Sequence, residues 1–268
     1  MKFDREAISD IEPDSILLAG EVRRQANIGF NSIPLRKIAP ELGIFKISEK
    51  PLKNIEGALV VPEGKFEGEI LLNSSTDPGR KRFTLAHEIG HFLHPLHHPE
   101  SDFGRFECDN TDIFNTFNRT ALNGIEAQAN DFASEILTPT KFVKQAFKDI
   151  EHVNMGSLID FCAILNVSKA AAFRKIHDIC CFPVAFIFSH NGVIRYLHCD
   201  DFPRLKVWYK NALPVNSISR LFSASDNTFS KPQIADPGIW LSTHQQKTLI
   251  EQVLIQEDGY RITVLTLK

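Results

Sequence analysis

Between Arg82 and His94 the chain reads Arg82-Phe83-Thr84-Leu85-Ala86-His87-Glu88-Ile89-Gly90-His91-Phe92-Leu93-His94. His87, Glu88 and His91 form a His-Glu-x-x-His pattern, a zinc-hydrolase spacing. Wound as a helix at 100° per residue, His87, His91 and His94 fall within about 60° of one another, with Leu85, Ile89, Phe92 and Leu93 spread over the other side. Two imidazoles four residues apart can share one tetrahedral ion, and the apolar back seats the helix in a core. Glu88 lies about 60–100° round from the imidazoles, close enough to reach a water in the site but badly placed to bind the ion. Two neutral donors with a carboxylate held back as general base is what metal-assisted peptide hydrolysis needs. Such a short pattern also arises by chance; the apolar back in register and a second motif downstream favour the metal reading.

A catalytic zinc site wants a third protein donor and one open position for water. A helix is expected from Gly124 to Leu137, capped by Asn123 and stopped at Thr138-Pro139. Its apolar side is Ile125, Ala129, Phe132, Ala133 and Ile136. Glu126 and Asn130 share one edge of that side, which makes Glu126 the expected third ligand and Asn130 the residue that orients a ligand imidazole. Glu135 falls at the far edge and reads as a solvated carboxylate. His97 is a rival ligand, six residues after His91 as in His-Glu-x-x-His-x-x-Gly-x-x-His, but the turning glycine of that pattern is here His94. His94 itself would lie about 10 Å along the helix from His87.

Other elements must hold these side chains in place. Residues 1–12 are polar and expected to be loose. Asp14 and Ser15 open a helix through Gln25, and Pro34 opens a short one that Pro40 limits and Gly43 ends. Ile44–Ser48, Gly57–Val61 and Glu67–Leu72 read as strands, the last two joined by a hairpin around Pro62-Glu63-Gly64. An edge of this small sheet could pair with an extended peptide. Pro95 stops the metal helix, and His97 to Asn123 is a long, weakly patterned connection in which Ile113–Phe117 could be structured. Leu158 to Ile176 has the form of a helix-turn-helix with Ser168 capping its second helix. Beyond Cys180-Cys181-Phe182-Pro183, strands are expected at Val184–Phe188 and Val193–Tyr196 around the turn Asn191-Gly192. A helix over Ser242–Glu251 and two closing strands, Gln252–Gln256 and Gly259–Leu267, then complete the chain. His190, His198 and His244 read as surface residues.

The 268 residues are 43% hydrophobic and 24% charged, an ordinary globular balance, with net charge −3. That charge argues against general attraction to nucleic acid. No apolar run approaches the length of a membrane span and no basic-then-apolar leader opens the chain, so a soluble cytoplasmic protein is expected. Five cysteines (Cys108, Cys162, Cys180, Cys181, Cys199), odd in number and without Cys-x-x-Cys spacing, read as free thiols of a reducing compartment.

The two motifs together resemble the ImmA/IrrE family of metallopeptidases. The residues that carry the resemblance are Arg82 to His91 and the run Glu126-Ala127-Gln128-Ala129-Asn130-Asp131-Phe132-Ala133-Ser134-Glu135-Ile136-Leu137-Thr138-Pro139. It extends back to the Pro34–Ile44 stretch and forward to about residue 178. It implies a zincin-like α+β fold with a small sheet and a His-Glu-x-x-His helix. It also implies zinc (manganese being possible) on His87, His91 and Glu126, with Glu88 as general base. The implied activity is endopeptidase cleavage of an XRE-type helix-turn-helix repressor, relieving repression in a stress response or mobile element. The chain departs from the family pattern in a longer gap between His91 and Glu126, and in Thr138 where methionine is usual. The expected organisation is a metallopeptidase domain (1–140), a helix-turn-helix-like segment (141–178) and a small α+β module of unassigned role (179–268). Lys169, Arg174 and Lys175 on an acidic chain are thin support for direct DNA binding, so the helical segment is read as structural. The alternative function is a non-catalytic, metal-containing regulator that sequesters a repressor or toxin; only the peptidase releases fragments.

Overall fold

The polar N-terminal stretch forms a helix rather than a loose end. In the computed structural model, which describes residues 3–61, 66–97, 105–109 (backbone only), 124–148, 153–180, 182–243 and 247–268, α1 spans Arg5–Ser9. Asp4 caps it by accepting from the Ala7 N–H, and Phe3 and Ile8 are buried. A few apolar side chains in a mainly polar stretch suffice once the rest of the core offers them a place. Contacts divide the chain into two units, Met1–Pro139 with Ile164–Val167, and Thr140–Ala163 with Ser168–Lys268.

In the first unit, α2 spans Ser15–Ala26, its N-cap Asp14 accepting from the N–H groups of Ile16 and Leu17. The short α3, Leu35–Ile38, runs into a 3-10 turn at Pro40–Leu42, as a proline at that position requires. Strands β1 (Ile44–Lys50), β2 (Ile55–Val60) and β3 (Gly68–Asn73) follow. The hairpin residues 62–65 lie outside the described residues. The metal-motif helix α4 spans Pro78–Leu93; Asp77 caps it by accepting from the Arg80 N–H, Pro78 occupies its first turn, and His94 is its C-cap just before Pro95.

The long connection after α4 contains a strand, β4 (Arg105–Asp109), where no pattern had marked one. It pairs antiparallel with β2, giving the sheet order β1-β3-β2-β4 with β1 parallel to β3. Arg-Phe-Glu-Cys-Asp has no β-branched residue; the ladder offered by β2, not local preference, makes it a strand. The stretch Ile113–Phe117 lies outside the described residues. Helix α5, Gly124–Leu137, closes the unit, and its expected cap Asn123 is likewise outside. One core joins Leu18 and Val22 of α2, Ile70 and Leu72 of β3, Ile89 and Phe92 of α4, and Phe132 and Ile136 of α5.

The second unit contains α6 (Thr140–Ala146), α7 (Met155–Leu165, whose last turn falls in the first unit) and α8 (Lys169–Ile179). The bend between α7 and α8 is 111°, within the range of a helix-turn-helix. Ser168 caps α8 by accepting from the Ala171 N–H, and Asn166 makes the turn at φ 51°. The rest is a five-stranded antiparallel sheet. Strands β5 (Val184–His190) and β6 (Val193–His198) form the expected hairpin, with Asn191 and Gly192 both at positive φ. Two short helices, α9 (Ile218–Leu221) and α10 (Pro237–Trp240), flank β7 (Gln233–Ala235). Strands β8 (Leu249–Ile255) and β9 (Tyr260–Leu267) complete the order β6-β5-β9-β8-β7.

The helix expected over Ser242–Glu251 is therefore corrected: from Leu249 on, the chain is strand, paired with β9 from Leu249↔Leu267 to Ile255↔Arg261. Its helical spacing loses to a sheet that buries almost every residue of β8. The sheet is covered on both faces. Phe173 of α8 packs on Phe186 and Phe188, while Ala185, Ile187, Leu265 and Trp240 fill the other side. The helical segment is tied to this sheet, since the Met155 N–H donates to Gln252 Oε1 of β8. Among the described residues no single helix is long and apolar enough to cross a membrane.

Candidate metal centre

Helix α4 carries the motif into the first unit's core because its wet side faces α5 and its apolar side faces the sheet. His87 and Glu88 are fully buried and His91 is 1% exposed. Three contacts set the helix at this depth. Arg82 donates to Ser32 Oγ and the Ile33 carbonyl, anchoring the first turns. Gly90 lets α5 approach, since a Cβ there would lie 3.1 Å from the Phe132 ring. Gly57 lets β2 run past Glu88, since a Cβ there would sit 2.4 Å from Thr84 Cγ2 and 3.2 Å from Glu88 Oε1. Gly57 was not singled out from sequence, because nothing local links a strand glycine to a helix that begins some twenty residues later.

The structure gathers His87, His91 and Glu126, whose ligand atoms all lie within 4.8 Å of one another. The two Nε2 atoms are 3.1 Å apart. Glu126 Oε2 is 3.1 Å from His87 Nε2, and Oε1 is 3.3 Å from His91 Nε2. His87 Nδ1 lies 3.0 Å from Asn130 Oδ1. An amide oxygen can only accept, so His87 carries its proton on Nδ1 and presents a lone pair at Nε2. That lone pair faces a second imidazole nitrogen and a carboxylate. The donor chemistry, two nitrogens and a carboxylate, fits a divalent ion such as zinc.

Glu88 is not among the gathered ligand atoms, though it lies within electrostatic reach of His87 and Glu126. Neither of its carboxylate oxygens has a hydrogen-bond partner among the described residues. Burial pushes its carboxyl up to about 8, with Glu126 adding to the rise and His87 opposing it. A buried, unpartnered carboxyl of this kind is a group kept ready to hold a proton.

One expectation about a neighbouring residue changes. Glu135 is buried rather than solvated and lies within electrostatic reach of the buried Arg23, which donates to the Ile136 carbonyl at 2.7 Å. His97 is fully buried and close to the site, but on the far side of His91: its Nδ1 is 3.1 Å from His91 Nδ1, and its Nε2 is 2.8 Å from Gln128 Oε1. In that position it stands behind a donor rather than beside one. His94 is also buried and stacks on His97. In the second unit, His198 is half-buried against His177 and His190 stacks on Tyr260, while His244 is outside the described residues.

An α+β unit with a His-Glu-x-x-His helix against a small sheet, and an acidic residue supplied by a second helix, is a zincin-like metallopeptidase fold. Residues 41–172 match the Peptidase_M78 model, the IrrE N-terminal-like domain, and this part of the chain belongs to that family. No curated protein sequence matches the chain. A solved structure described as a Mycobacterium tuberculosis transcriptional regulator is similar over 99% of this chain and 82% of its own length, with a TM-score of 0.52 and 12% identity. At that identity the likeness concerns the fold.

Proposed function

We propose that the protein is a zinc-dependent endopeptidase in which His87, His91 and Glu126 hold the ion, Asn130 orients His87, and Glu88 is the general base. The observation that carries this reading is the convergence of two buried imidazoles and a partly buried carboxylate near a second, unpartnered carboxylate. A bound zinc or manganese ion supplies Lewis acidity for the scissile carbonyl and lowers the pKa of water. Glu88 takes the proton of the attacking water and delivers it to the leaving amine, a role open to a carboxylate that no described group engages. Asn130 keeps the His87 Nε2 lone pair facing Glu126.

The substrate we propose is an XRE-type helix-turn-helix repressor, cut in the cytoplasm to relieve repression in a stress response or mobile element. The peptidase family of residues 41–172 supports the reaction, and the solved regulator of similar fold is in keeping with the setting. The test mixes purified protein, zinc or manganese, and helix-turn-helix repressors encoded beside its gene. Metal-dependent fragments from the wild type, and none from a metal-loaded Glu88→Gln variant, are expected. Capture of an intact repressor without fragments would overturn the peptidase in favour of a sequestering regulator.

A further inference from the structure

We infer that His97 is a positioning residue that, with Gln128, locks His91 in the one tautomer able to bind a metal. The inference rests on the metal reading above and concerns residues to which that reading gives no role. His91 faces His87 and Glu126 through Nε2. An imidazole that offers a lone pair at Nε2 must carry its proton on Nδ1, and a buried N–H needs an acceptor. The atom 3.1 Å from His91 Nδ1 is His97 Nδ1. To accept there, His97 must be neutral with its proton on Nε2, and that nitrogen lies 2.8 Å from Gln128 Oε1, an oxygen that can only accept.

Every proton in the chain is thus set from both ends, by the ligand lone pair at His91 Nε2 and by the amide oxygen of Gln128. His91 Nδ1–H donates to His97, and His97 Nε2–H donates to Gln128. The reverse arrangement, with Nε2–H on His91, would point that proton at the other donors and leave His97 and Gln128 mismatched. The ring of His97 is fully buried and stacks on His94 at 4.0 Å between centroids and 22° between planes, so its orientation is held as well as its proton.

Helix α5 then serves both imidazoles. Asn130 Oδ1 accepts from His87 directly, and Gln128 acts on His91 through His97, with Glu126 just ahead of both. The outer partner of a ligand histidine is commonly a carboxylate, carbonyl or water, and losing it costs about 10–100-fold in metal affinity. A neutral histidine in that role adds no negative charge to the site.

The test measures zinc affinity by competition with a chromophoric chelator. His97→Phe keeps the stacked ring but removes the acceptor, and is expected to weaken zinc binding about 10–100-fold; Gln128→Leu acts in the same direction. His97→Asn, whose Oδ1 can stand near the place of Nδ1, is expected to recover most of the loss. In zinc-loaded wild-type protein labelled with 15N-histidine, His91 should be protonated at Nδ1 and His97 at Nε2; this readout needs no variant and decides the matter should His97→Phe not fold. Wild-type zinc affinity in the Phe variant, or a proton on His97 Nδ1 in the loaded wild type, overturns the inference and leaves the metal site standing. A wild-type protein that binds no zinc overturns the metal reading along with it.

Discussion

Each unit buries glutamates, and they are treated in opposite ways. In the second unit Glu251 is fully buried and fully answered: Oε1 accepts from the Ser219 N–H and hydroxyl at 2.6 Å each, and Oε2 accepts from Trp240 Nε1–H at 2.8 Å. Thr263 in turn donates to Ser219 Oγ. In the first unit Glu88 is equally buried, yet no described group donates to it. A satisfied buried carboxylate ties elements together; an unsatisfied one costs stability and remains only where something else requires it. Burial alone therefore does not separate an answered acid from an unanswered one; the hydrogen-bond inventory does.

That contrast can be broken at either end. The largest effect is expected for Glu88→Gln: cleavage should fall about 10²–10⁴-fold, the usual range for loss of a general base, while bound metal stays unchanged. Fragment yield and elemental analysis of the purified variant check the two halves. The mirror experiment is Glu251→Ala, which strands the Ser219 and Trp240 donors. It should lower unfolding free energy by about 3 kcal/mol in urea titrations without altering metal content. If Glu251→Ala proved neutral and Glu88→Gln destabilising, the assignment of the two acids would be the wrong way round.

Gly57→Ala sharpens the comparison from the side of the sheet. A Cβ pressed against Thr84 and Glu88 should destabilise by about 1–3 kcal/mol, the range for overpacking, and should lower cleavage more than stability alone accounts for. Thermal melts and fragment assays on the same preparation separate the two. The smallest effect concerns acid. Burial pushes His198 down to about 4, with His177 and Arg174 adding to the fall and Asp178 and Asp200 opposing it. Its folded pKa lies below the ordinary value, so its contribution is intact above pH 6.5 and is lost as pH falls from 6.5 towards 4. Melts across that window should show a shallower decline in His198→Phe than in the wild type.

The motif residues were legible because their geometry is local. Two histidines four apart lie on one side of any helix, and Glu126 and Asn130 repeat that spacing on another, so their gathering needs only that the two helices pack. The turn at Asn191-Gly192 and the cap at Ser168 were legible for the same reason: each is a preference of a few adjacent residues. Readings that depended on a partner elsewhere failed. Glu135 reads as solvated until Arg23 of α2 is placed near it. Strand β4 has no pattern until β2 offers a ladder, and β8 reads as helix until β9 lies alongside.

What the amino-acid order determined by itself is thus the periodic content: which helix carries the donors, which side it buries, and which acids and amides share an edge. Only the tertiary structure decided which buried acid is answered and which is left alone, and that His97 stands behind His91 rather than beside His87 and Glu126. The physical reason is range. Periodicity and capping act over a few residues, whereas hydrogen-bond satisfaction of a buried group depends on atoms brought together from distant parts of the chain.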